Sequence, residues 1–316
     1  MPRLSVIMTT LNSEKYVNAS VDSILNQTFA DYELIIVDGG STDHTITLLQ
    51  DYTDKRIRLF VLDGKRRSAQ LNHGVHIATG TYAAIVDSDD KALPERFEEQ
   101  VHYLDHQSEV SIVGSWANVI SETETFLYTL RRPLSHKRII NNLLTMNGLC
   151  FGTSCWRKNI FDQYAQFNER LLLSEDTEWL VRIAPYAVFA NIPKPLMLLR
   201  KTEKSRSRFS GQENTLFVSS IEQIIESSTY SGEEKMFQLG VLHYYYGTMS
   251  NARRYLIPSF LKRPLKISTL RYLCPAIILN GTMMKRARRN ILFNKIGIMY
   301  RNIGVWIDYF TKRSRI

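Results

Sequence analysis

Short apolar runs alternate with amphipathic stretches over the first 90 residues of the chain. Four runs are rich in Val, Ile or aromatic residues and end at polar or glycine-containing turns: Leu4–Thr9, Leu34–Val37, Arg58–Val61 and Tyr82–Val86. Such runs are typical of strands buried on both faces, because helices cover the two faces of a parallel sheet. The alternation therefore predicts β-α-β units around a mostly parallel sheet.

The stretches between these runs have the spacing of amphipathic helices. The first predicted helix spans about residues 14–26, where the apolar positions approximate one stripe. Ser41 or Thr42 is placed to cap a second helix, since short side chains with an oxygen accept hydrogen bonds from the free amides there. A third helix is predicted over about residues 69–78.

After Asp90 the pattern predicts further elements in a less regular order. They are an amphipathic segment near Pro94–Leu104, a strand near Ser111–Val119, a helix that Ser174 and Thr177 open and that runs to Ile183, a strand near Val188–Ile192, and a proline-containing loop over Pro193–Arg208. From about Gln212 the pattern is mainly helical. We therefore predict an α/β domain over residues 1–210 and a helical, basic region over residues 211–316.

Composition narrows the class of protein. Hydrophobic residues make up 44% and charged residues 22% of the 316 positions, which indicates a globular chain. The three cysteines form no CxxC pair, and their odd number disfavours a disulfide framework or a thiolate zinc site. The N-terminus does not resemble a signal peptide, and no apolar stretch approaches the roughly 18–20 residues of a membrane span. We expect a cytoplasmic protein without a spanning helix.

The positive charge is concentrated near the C-terminus. Residues 251–316 hold 15 Lys or Arg and one acid. A basic cluster at residues 285–289 precedes an apolar helical stripe formed by Leu292, Ile296, Met299, Ile303, Trp306 and Phe310. Together they predict a helix lying on an anionic membrane surface, and packing of the stripe on the protein itself is the alternative. Nucleic acid is not an expected partner, because the region has no zinc finger or aromatic RNA-binding motif.

Polar residues collect at the predicted carboxyl ends of the strands, where α/β sheets bind ligands. Thr9 and Asn12 lie at the end of the first strand, and Asp87, Ser88 and Asp89 follow the fourth. Side chains alternate along an extended backbone, so the carboxylates of Asp87 and Asp89 face the same side. Such a pair suits Mg²⁺ or Mn²⁺ bridged to phosphate oxygens. The alternative is an acidic turn in which Asp89 or the next residue caps the following helix.

The second predicted strand ends at Asp38, which is followed by Gly39 and Gly40. The glycines permit a tight turn with positive φ, and the Asp38 carboxylate can accept hydrogen bonds from the N–H groups of a heterocycle. An ordinary glycine-rich turn is the alternative. The chain contains neither GxGxxG nor GxxxxGK(S/T), so neither a dinucleotide motif nor a P-loop is indicated.

The order and spacing of these features resemble the family-two glycosyltransferases of GT-A fold. The resemblance rests on the opening strand Leu4–Asn12, the first-helix ending Ser23–Phe29, the turn Asp38–Asp43, the approach Ala78–Tyr82 to the element Asp87–Asp90, and Ser174-Glu175-Asp176 followed by Trp179. It covers roughly residues 3–205, and the ordered set is far more specific than any single motif. It implies a Rossmann-like α/β fold with a mostly parallel sheet flanked by helices and, here, a helical C-terminal appendage.

The resemblance implies a donor pocket at the strand ends. Thr9, Asn12 and Asp38 would line the nucleotide pocket, with Asp38 facing the base, and Ser88 belongs to the same donor-binding group. Arg67, after the third strand, is a further candidate for contact with the base or a phosphate. A solvated basic loop is the alternative for this arginine.

The resemblance also implies a metal and a catalytic base. Asp87 would approach the ribose or the metal, and Asp89 would hold Mg²⁺ or Mn²⁺ against the diphosphate. Asp176 would take the proton from an acceptor hydroxyl as that hydroxyl attacks the sugar carbon in line, which inverts the anomeric centre. A first-turn acid that complements a helix dipole is the alternative for Asp176. Trp179 could stack on an acceptor sugar or lie in the core.

These implications predict an inverting, metal-dependent glycosyltransferase. The donor would be a nucleotide-sugar, with a UDP-sugar as the first expectation. The acceptor would be a glycan or a lipid-linked glycan of a bacterial surface polysaccharide. Sugar-phosphate nucleotidyl transfer is an alternative that would ordinarily show a glycine-rich, basic loop where Thr10–Glu14 stands. Paired acids could also indicate a glycosidase, and the basic tail leaves non-enzymatic nucleic-acid binding as a third alternative.

Overall fold

The computed structural model describes residues 1–145, 147–164, 166–171, 174–202, 212–227, 231–245 and 249–262. The chain divides into two compact units, Met1–Glu213 and Asn214–Ile316. The C-terminal basic cluster and apolar stripe of the sequence analysis, at residues 285–310, lie outside the described residues, as does the part of the predicted loop from residue 203 to 208.

One sheet organises the first unit. Its described strands are β1 (Leu4–Thr10), β2 (Tyr32–Asp38), β3 (Ile57–Val61), β4 (Tyr82–Asp87), β5 (Lys91–Ala92), β6 (Ile112–Ile120), β7 (Phe126–Leu130), β8 (Cys155–Arg157) and β9 (Phe189–Arg200). Its described helices are α1 (Val17–Leu25), α2 (Thr45–Gln50), α3 (Arg67–Ile77), α4 (Arg96–His106), α5 (His136–Ile140), α6 (Lys158–Tyr164) and α7 (Glu175–Ile183). The strand order is β3-β2-β1-β4-β8-β6-β9-β5, and β7 pairs with β6 outside this order.

The first half of the sheet is parallel, as predicted. Strands β3, β2, β1 and β4 pair in parallel, and every residue of β1 and β2 is buried. The register sets Thr10 beside Asp38 and Thr9 beside Asp87. The carboxyl ends of β1, β2 and β4 therefore meet at one edge, and the predicted α/β fold class is confirmed.

The second half of the sheet adds antiparallel pairs, β8 with β4 and β6, β7 with β6, and β5 with β9. The prediction of a loop over Pro193–Arg208 is wrong in its first part, because β9 continues to Arg200. Its two prolines, Pro193 and Pro195, occur where the register between β6 and β9 shifts. A strand tolerates proline at such irregular positions, because the ladder needs no amide there.

The predicted cap of the second helix is also wrong. Helix α2 begins at Thr45, and the carboxylate of Asp43 accepts its backbone amide at 3.0 Å. Ser41 and Thr42 bond elsewhere, Ser41 to Asp38 and Thr42 to Asn12. The cap prediction failed because several short polar side chains in succession compete for the same free amides.

Trp179 lies in the core and not at a surface where it could stack on an acceptor sugar. Its side chain is fully buried among aromatic rings, with the ring centroid of Phe167 at 5.0 Å and that of Trp156 at 5.6 Å. Phe151 and Phe161 complete the cluster. A ring without exposed area does not stack on an acceptor sugar, so Trp179 holds α7 to the sheet instead.

The second unit is helical where it is described. Its helices are α8 (Gln212–Ser227, which crosses the division between the units), α9 (Gly232–Tyr245) and α10 (Met249–Lys262). His243 of α9 lies 2.7 Å from a carboxylate oxygen of Glu222 on α8, and Leu256 of α10 packs against Gly240 of α9. None of the described helices combines the length and the apolar character that crossing a membrane requires.

Candidate donor and catalytic site

Three loops meet at the carboxyl edge of the parallel strands and are joined by side-chain hydrogen bonds. Asn12 follows β1 with a φ of 52°, a left-handed conformation that asparagine tolerates. The backbone N–H of Asn12 donates to Ser41 Oγ at 2.8 Å. Its side-chain oxygen accepts a hydrogen bond from the backbone N–H of Thr42 at 2.9 Å. The hydroxyls of Ser13 and Ser88 lie 2.8 Å apart. The predicted donor-binding residues of different strands thus lie in one connected group of loops.

Asp38 organises the turn after β2. One carboxylate oxygen accepts the amides of Gly40 at 2.8 Å and Ser41 at 2.7 Å, and the other accepts the Ser41 hydroxyl at 2.6 Å. Gly40 has a φ of 91°, which requires glycine. Asp38 has no exposed area in this conformation. The Asp38 carboxylate therefore fixes the conformation of the loop through these hydrogen bonds. A direct contact between Asp38 and a base stays a prediction.

The acidic loop after β4 brings three carboxylates together. Burial and then the negative charge of Asp87 raise the pKa of Asp89. Asp90 is buried, and its pKa is raised well above the usual range by burial, followed by the charges of Asp89 and Asp87. The alternative in which Asp89 or Asp90 caps the next helix is wrong, because α4 begins at Arg96 and has no side-chain cap.

Arg200 anchors the acidic loop from the end of β9. Its amide donates to the Asp90 carboxylate at 2.7 Å, and its Nε donates to the carbonyl of Asp89 at 3.0 Å. The guanidinium also contacts Glu124 at 2.9 Å and lies over the ring of Tyr16. Because this cation is buried and bound on several sides, it fixes the backbone that carries Asp89.

Arg67 bridges the acidic loop and helix α7. Its Nη2 donates to Oδ1 of Asp87 at 2.8 Å, and its Nη1 donates to Oε1 of Glu175 at 2.5 Å. Burial alone would lower the pKa of Arg67, but the carboxylates of Asp87 and Glu175 outweigh that effect and raise it. Arg67 is therefore charged and held, and the alternative of a solvated basic loop does not apply to it.

Asp176 is the second residue of α7, beside Glu175. Burial, followed by the charge of Glu175, raises its pKa to about 6, and the charge of Arg67 opposes the rise. One oxygen accepts the amide of Thr177 at 2.6 Å. A half-buried carboxylate with this pKa is ionised at neutral pH and sufficiently basic to accept a proton, as a general base requires.

The short 3₁₀ helix Phe151–Thr153, just before β8, packs against the acidic loop. Gly152 lies so close that an added Cβ would be 3.2 Å from Oδ2 of Asp87 and 3.8 Å from Oδ2 of Asp90. The ring of Phe151 faces the Arg67 guanidinium at 5.9 Å. The neighbouring Cys150 is protonated, because burial raises the pKa of its thiol to about 11.

Asp87 and Asp89 are the carboxylates that the acidic loop would offer to a divalent ion shared with the donor. The extended backbone expected here ends at Asp87, because the amide of Asp90 donates to the carbonyl of Asp87 at 3.1 Å in a turn. No three His, Cys, Asp or Glu side chains of the described part of the chain form a metal site by themselves. Mg²⁺ bound with a nucleotide takes one or two carboxylates and completes its coordination with phosphate oxygens and water. Burial and then the charge of Asp87 raise the pKa of Asp89, and a bound cation would offset both effects.

Two partners in the site were missed by the sequence analysis. Glu175, 108 positions from Arg67, holds that arginine, and Arg200 holds the acidic loop. The sequence carries no signal for the first pair, because long-range ion pairs leave no periodicity. The strand that ends at Arg200 was not predicted, because Pro193 and Pro195 indicated a loop. The position of Arg200 after an apolar run could still have suggested a residue at a strand end.

Comparison with known proteins identifies the family of the chain. Residues 5–165 match the family model described as glycosyl transferase family 2. An uncharacterized glycosyltransferase of Haemophilus influenzae is 30% identical over 213 residues, which are 63% of this chain and 65% of the relative. The O-antigen biosynthesis glycosyltransferase WbnJ of Escherichia coli is 36% identical over 160 residues, 50% of this chain and 62% of the relative.

A solved structure of S. aureus TarS in complex with UDP-GlcNAc has the same fold, with a TM-score of 0.63 at 19% identity over 87% of this chain and 81% of the other. The match spans less than two thirds of the length of either curated relative, 65% of the first and 62% of the second. The family model covers half of the chain, from β1 through α6. The chain therefore belongs to glycosyl transferase family 2.

Proposed function

We propose that this protein is an inverting, metal-dependent glycosyltransferase that moves a hexosyl or N-acetylhexosaminyl group from a nucleotide-sugar to a glycan or lipid-linked acceptor. The observation that carries the proposal is the Arg67 bridge. It links Asp87, at the strand end where the donor diphosphate would lie, to the first turn of α7, which carries Asp176. Leaving-group binding and a proton acceptor thus occur in one charged cluster.

The donor would lie over the three connected loops. Thr9, Asn12, Asp38 and Ser88 would define the nucleotide pocket, and Arg67 would border it. Asp87 and Asp89 would hold Mg²⁺ or Mn²⁺, which when bound neutralises charge on the departing diphosphate. Arg200 keeps the backbone of Asp89 in place for that contact.

The transfer is a single displacement. The acceptor oxygen forms a bond to the anomeric carbon while the bond from that carbon to the diphosphate oxygen breaks, and the nucleotide diphosphate leaves with the bonding pair. The hydroxyl proton passes to the Asp176 carboxylate. Attack from the face opposite the leaving group inverts the anomeric configuration.

The biological setting rests on relatives. WbnJ is named for O-antigen biosynthesis, which supports synthesis of a surface polysaccharide. A lipid-linked acceptor would be reached from the cytoplasmic face of the membrane, and the basic C-terminal region, with 15 Lys or Arg against one acid from residue 251 onward, would contact anionic lipid there. Sugar-phosphate nucleotidyl transfer has no comparable support from the family match.

The test is a panel of UDP-, GDP-, CMP- and dTDP-sugars assayed for release of the nucleotide with and without Mg²⁺ or Mn²⁺. UDP-sugars come first, because S. aureus TarS, of the same fold, is solved with UDP-GlcNAc. We expect metal-dependent release of UDP and, with an acceptor, a product of inverted anomeric configuration by NMR. Release of pyrophosphate from a nucleoside triphosphate and a sugar phosphate would instead establish nucleotidyl transfer.

A further inference from the structure

Strand β7 exposes three consecutive large apolar side chains. Phe126, Leu127 and Tyr128 are 58%, 45% and 48% exposed. A regular strand turns alternate side chains to opposite faces, but here the register with β6 shifts between the partners of Phe126 and Tyr128, so Leu127 is a bulge residue. Among the described residues, β7 pairs with β6 alone. The strand therefore presents a contiguous apolar surface.

Basic side chains follow these apolar ones without an intervening acid. Residues 126–138, which we call the β7 segment, contain four Lys or Arg and no Asp or Glu. Arg131, Lys137 and Arg138 are exposed, and Leu134 between them is 47% exposed. The acids just before the segment are engaged by cations of their own, Glu122 by Lys15 and Glu124 by Arg200. The segment is thus both apolar and cationic at its surface.

We propose that the β7 segment is a membrane-binding surface of the catalytic unit, in which its apolar side chains enter the interface of an anionic bilayer and its basic side chains contact the lipid headgroups. Shallow apolar insertion combined with cationic contacts is the pattern of proteins that lie on membranes. This surface belongs to the first unit, Met1–Glu213, and it goes beyond the proposed transfer reaction.

Two other occupants fit the segment less well. A second copy of the chain in a two-fold contact would set four cations against four cations, and the bulge at Leu127 interrupts the ladder that an added strand needs. A nucleic acid would satisfy the cations and could stack on Phe126 and Tyr128, but it would leave the aliphatic side chains of Leu127 and Leu134 in water. An anionic bilayer satisfies both features together.

The hairpin that carries β7 is joined to the donor site. The turn between β6 and β7 offers the carbonyl of Glu122 at 3.1 Å and the carboxylate of Glu124 at 2.9 Å to Arg200, which also binds the carbonyl of Asp89. A bilayer that holds the β7 segment would therefore lie on an element in direct contact with the acidic loop. Such a placement suits an acceptor whose sugar is attached to a lipid.

A site-specific probe separates this surface from any binding by the C-terminal region. In the full-length chain carrying Cys150→Ser and Cys274→Ser, with the buried Cys155 retained, an environment-sensitive nitrobenzoxadiazole probe is attached at Leu127→Cys. The matched control carries the probe at Val61→Cys, an exposed apolar residue of the opposite edge strand β3. With phosphatidylglycerol vesicles we expect a blue shift and increased emission at position 127 and no change at position 61.

A second measurement uses substitutions in the unlabelled full-length chain. Phe126→Ser, Leu127→Ser and Tyr128→Ser together should lower the partition coefficient on phosphatidylglycerol vesicles by roughly tenfold or more, because the apolar area no longer leaves water. Val61→Ser should leave it unchanged, and circular dichroism should show an intact fold for both. Lys137→Gln with Arg138→Gln should weaken binding to phosphatidylglycerol but not to pure phosphatidylcholine.

Three results would overturn the proposal. The probe at position 127 could stay in water while the protein sediments with vesicles, which would assign binding to another part of the chain. It could respond to protein concentration without lipid, which would indicate a second copy. It could respond to a short oligonucleotide and not to vesicles. None of these results bears on nucleotide release from soluble donors, so the proposed reaction would stand or fall separately.

Discussion

At the scale of the residue, the proposed role of Asp176 as a general base comes with a cost to folding, because its pKa is raised by burial. We predict that Asp176→Asn lowers kcat by about 10²–10⁴-fold, the usual contribution of a positioned general base, with little change in donor affinity. Steady-state kinetics with isothermal titration of UDP measure the two effects. Glu178→Gln is the control, because this acid of the same turn pairs with Arg182 instead. An equal loss of affinity and rate would make Asp176 part of the donor pocket.

The same variant should be more stable than the wild type near neutral pH. The folded-state pKa of Asp176 is raised from 3.8 to about 6, so the folded protein binds more protons than the unfolded chain between these values. The contribution of Asp176 to the free energy of unfolding therefore falls as the pH rises from 3.8 to about 6. Asparagine does not titrate, and we expect a higher Tm for the variant at pH 7.5 and little difference near pH 4. A lower Tm at pH 7.5 would contradict this.

The pH dependence of the reaction should reflect the pKa of Asp176 and the effect of Arg67 on that pKa. The base must be deprotonated, so kcat/KM should decline as pH falls through about 6, the pKa of Asp176. Arg67 lowers that pKa by its charge, and Arg67→Gln should therefore move the acid limb of the profile to higher pH. Arg66→Gln, at the exposed preceding residue, should leave the limb in place. If the acid limb of the Arg67→Gln profile does not shift, Arg67 does not set the pKa of Asp176.

Asp89 is the clearest test of the metal assignment. We predict that Asp89→Ala abolishes turnover and weakens the metal-dependent part of UDP binding, because the ion loses a carboxylate ligand. The fold should persist, since burial and Asp87 already disfavour the charge of Asp89. Calorimetric titration with UDP, with and without Mn²⁺, measures the effect. Transfer at near wild-type rate with Mg²⁺ or Mn²⁺ would show that the assignment is wrong.

The sequence predicted residues that lie at strand ends better than the contacts among them. Asp38, Asp87 and Asp89 follow apolar runs, and the position of a residue after a strand can be read from local pattern. The partnership of Arg67 with Glu175 could not be read in this way, because it depends on how α3 and α7 approach each other in the folded chain. The raised pKa of Asp176 could not be read from local pattern either, because it follows first from burial, which depends on tertiary packing.

At the scale of the element, β1 to β4 and β6 were predicted within one or two residues, whereas β5, β7 and β8 were not predicted and β9 was predicted only in its first part. β1 to β4 are continuous apolar runs with clear ends. Strand β8 has three residues and β5 has two, too short for a periodic signal. In β9 the prolines at positions 193 and 195 indicated a loop, because a sequence does not show that the ladder shifts there.

The packing of the segment before β8 under the acidic loop carries an element-scale prediction. Gly152→Ala would set a methyl group 3.2 Å from Oδ2 of Asp87, so the carboxylate must move by a few tenths of an ångström. We expect metal-dependent donor affinity to fall by roughly threefold to tenfold, because small misplacements of binding groups are costly. Fluorescence titration with a UDP-sugar measures it.

Gly232→Ala is the matched control for this change, because a Cβ at that position has nothing within 4 Å. The control should bind donor as the wild type does and keep its Tm. Unchanged donor affinity in Gly152→Ala would mean that the carboxylate of Asp87 does not set the geometry of donor binding.

At the scale of the whole molecule, one unit contains every residue assigned to the reaction. The candidate residues run from Thr9 to Asp176, all within Met1–Glu213. The core of that unit joins helices α1 and α4 to both halves of the sheet, from Leu4 to Met197. A hydrophobic core of its own is the condition under which a unit folds alone. The C-terminal unit supplies none of the assigned side chains.

We therefore predict that a fragment ending at Glu213 folds cooperatively and binds UDP with the metal dependence of the full-length protein. Thermal unfolding followed by circular dichroism should give a single transition, since the buried strands lie in one sheet. The fragment carrying Asp89→Ala is the control, and it should unfold in the same way but lose the metal-dependent part of UDP binding. A fragment that aggregates or melts without a transition would show that the helical unit is required for the stability of the catalytic unit. Cooperative unfolding without UDP binding would instead show that residues after 213 complete the donor site.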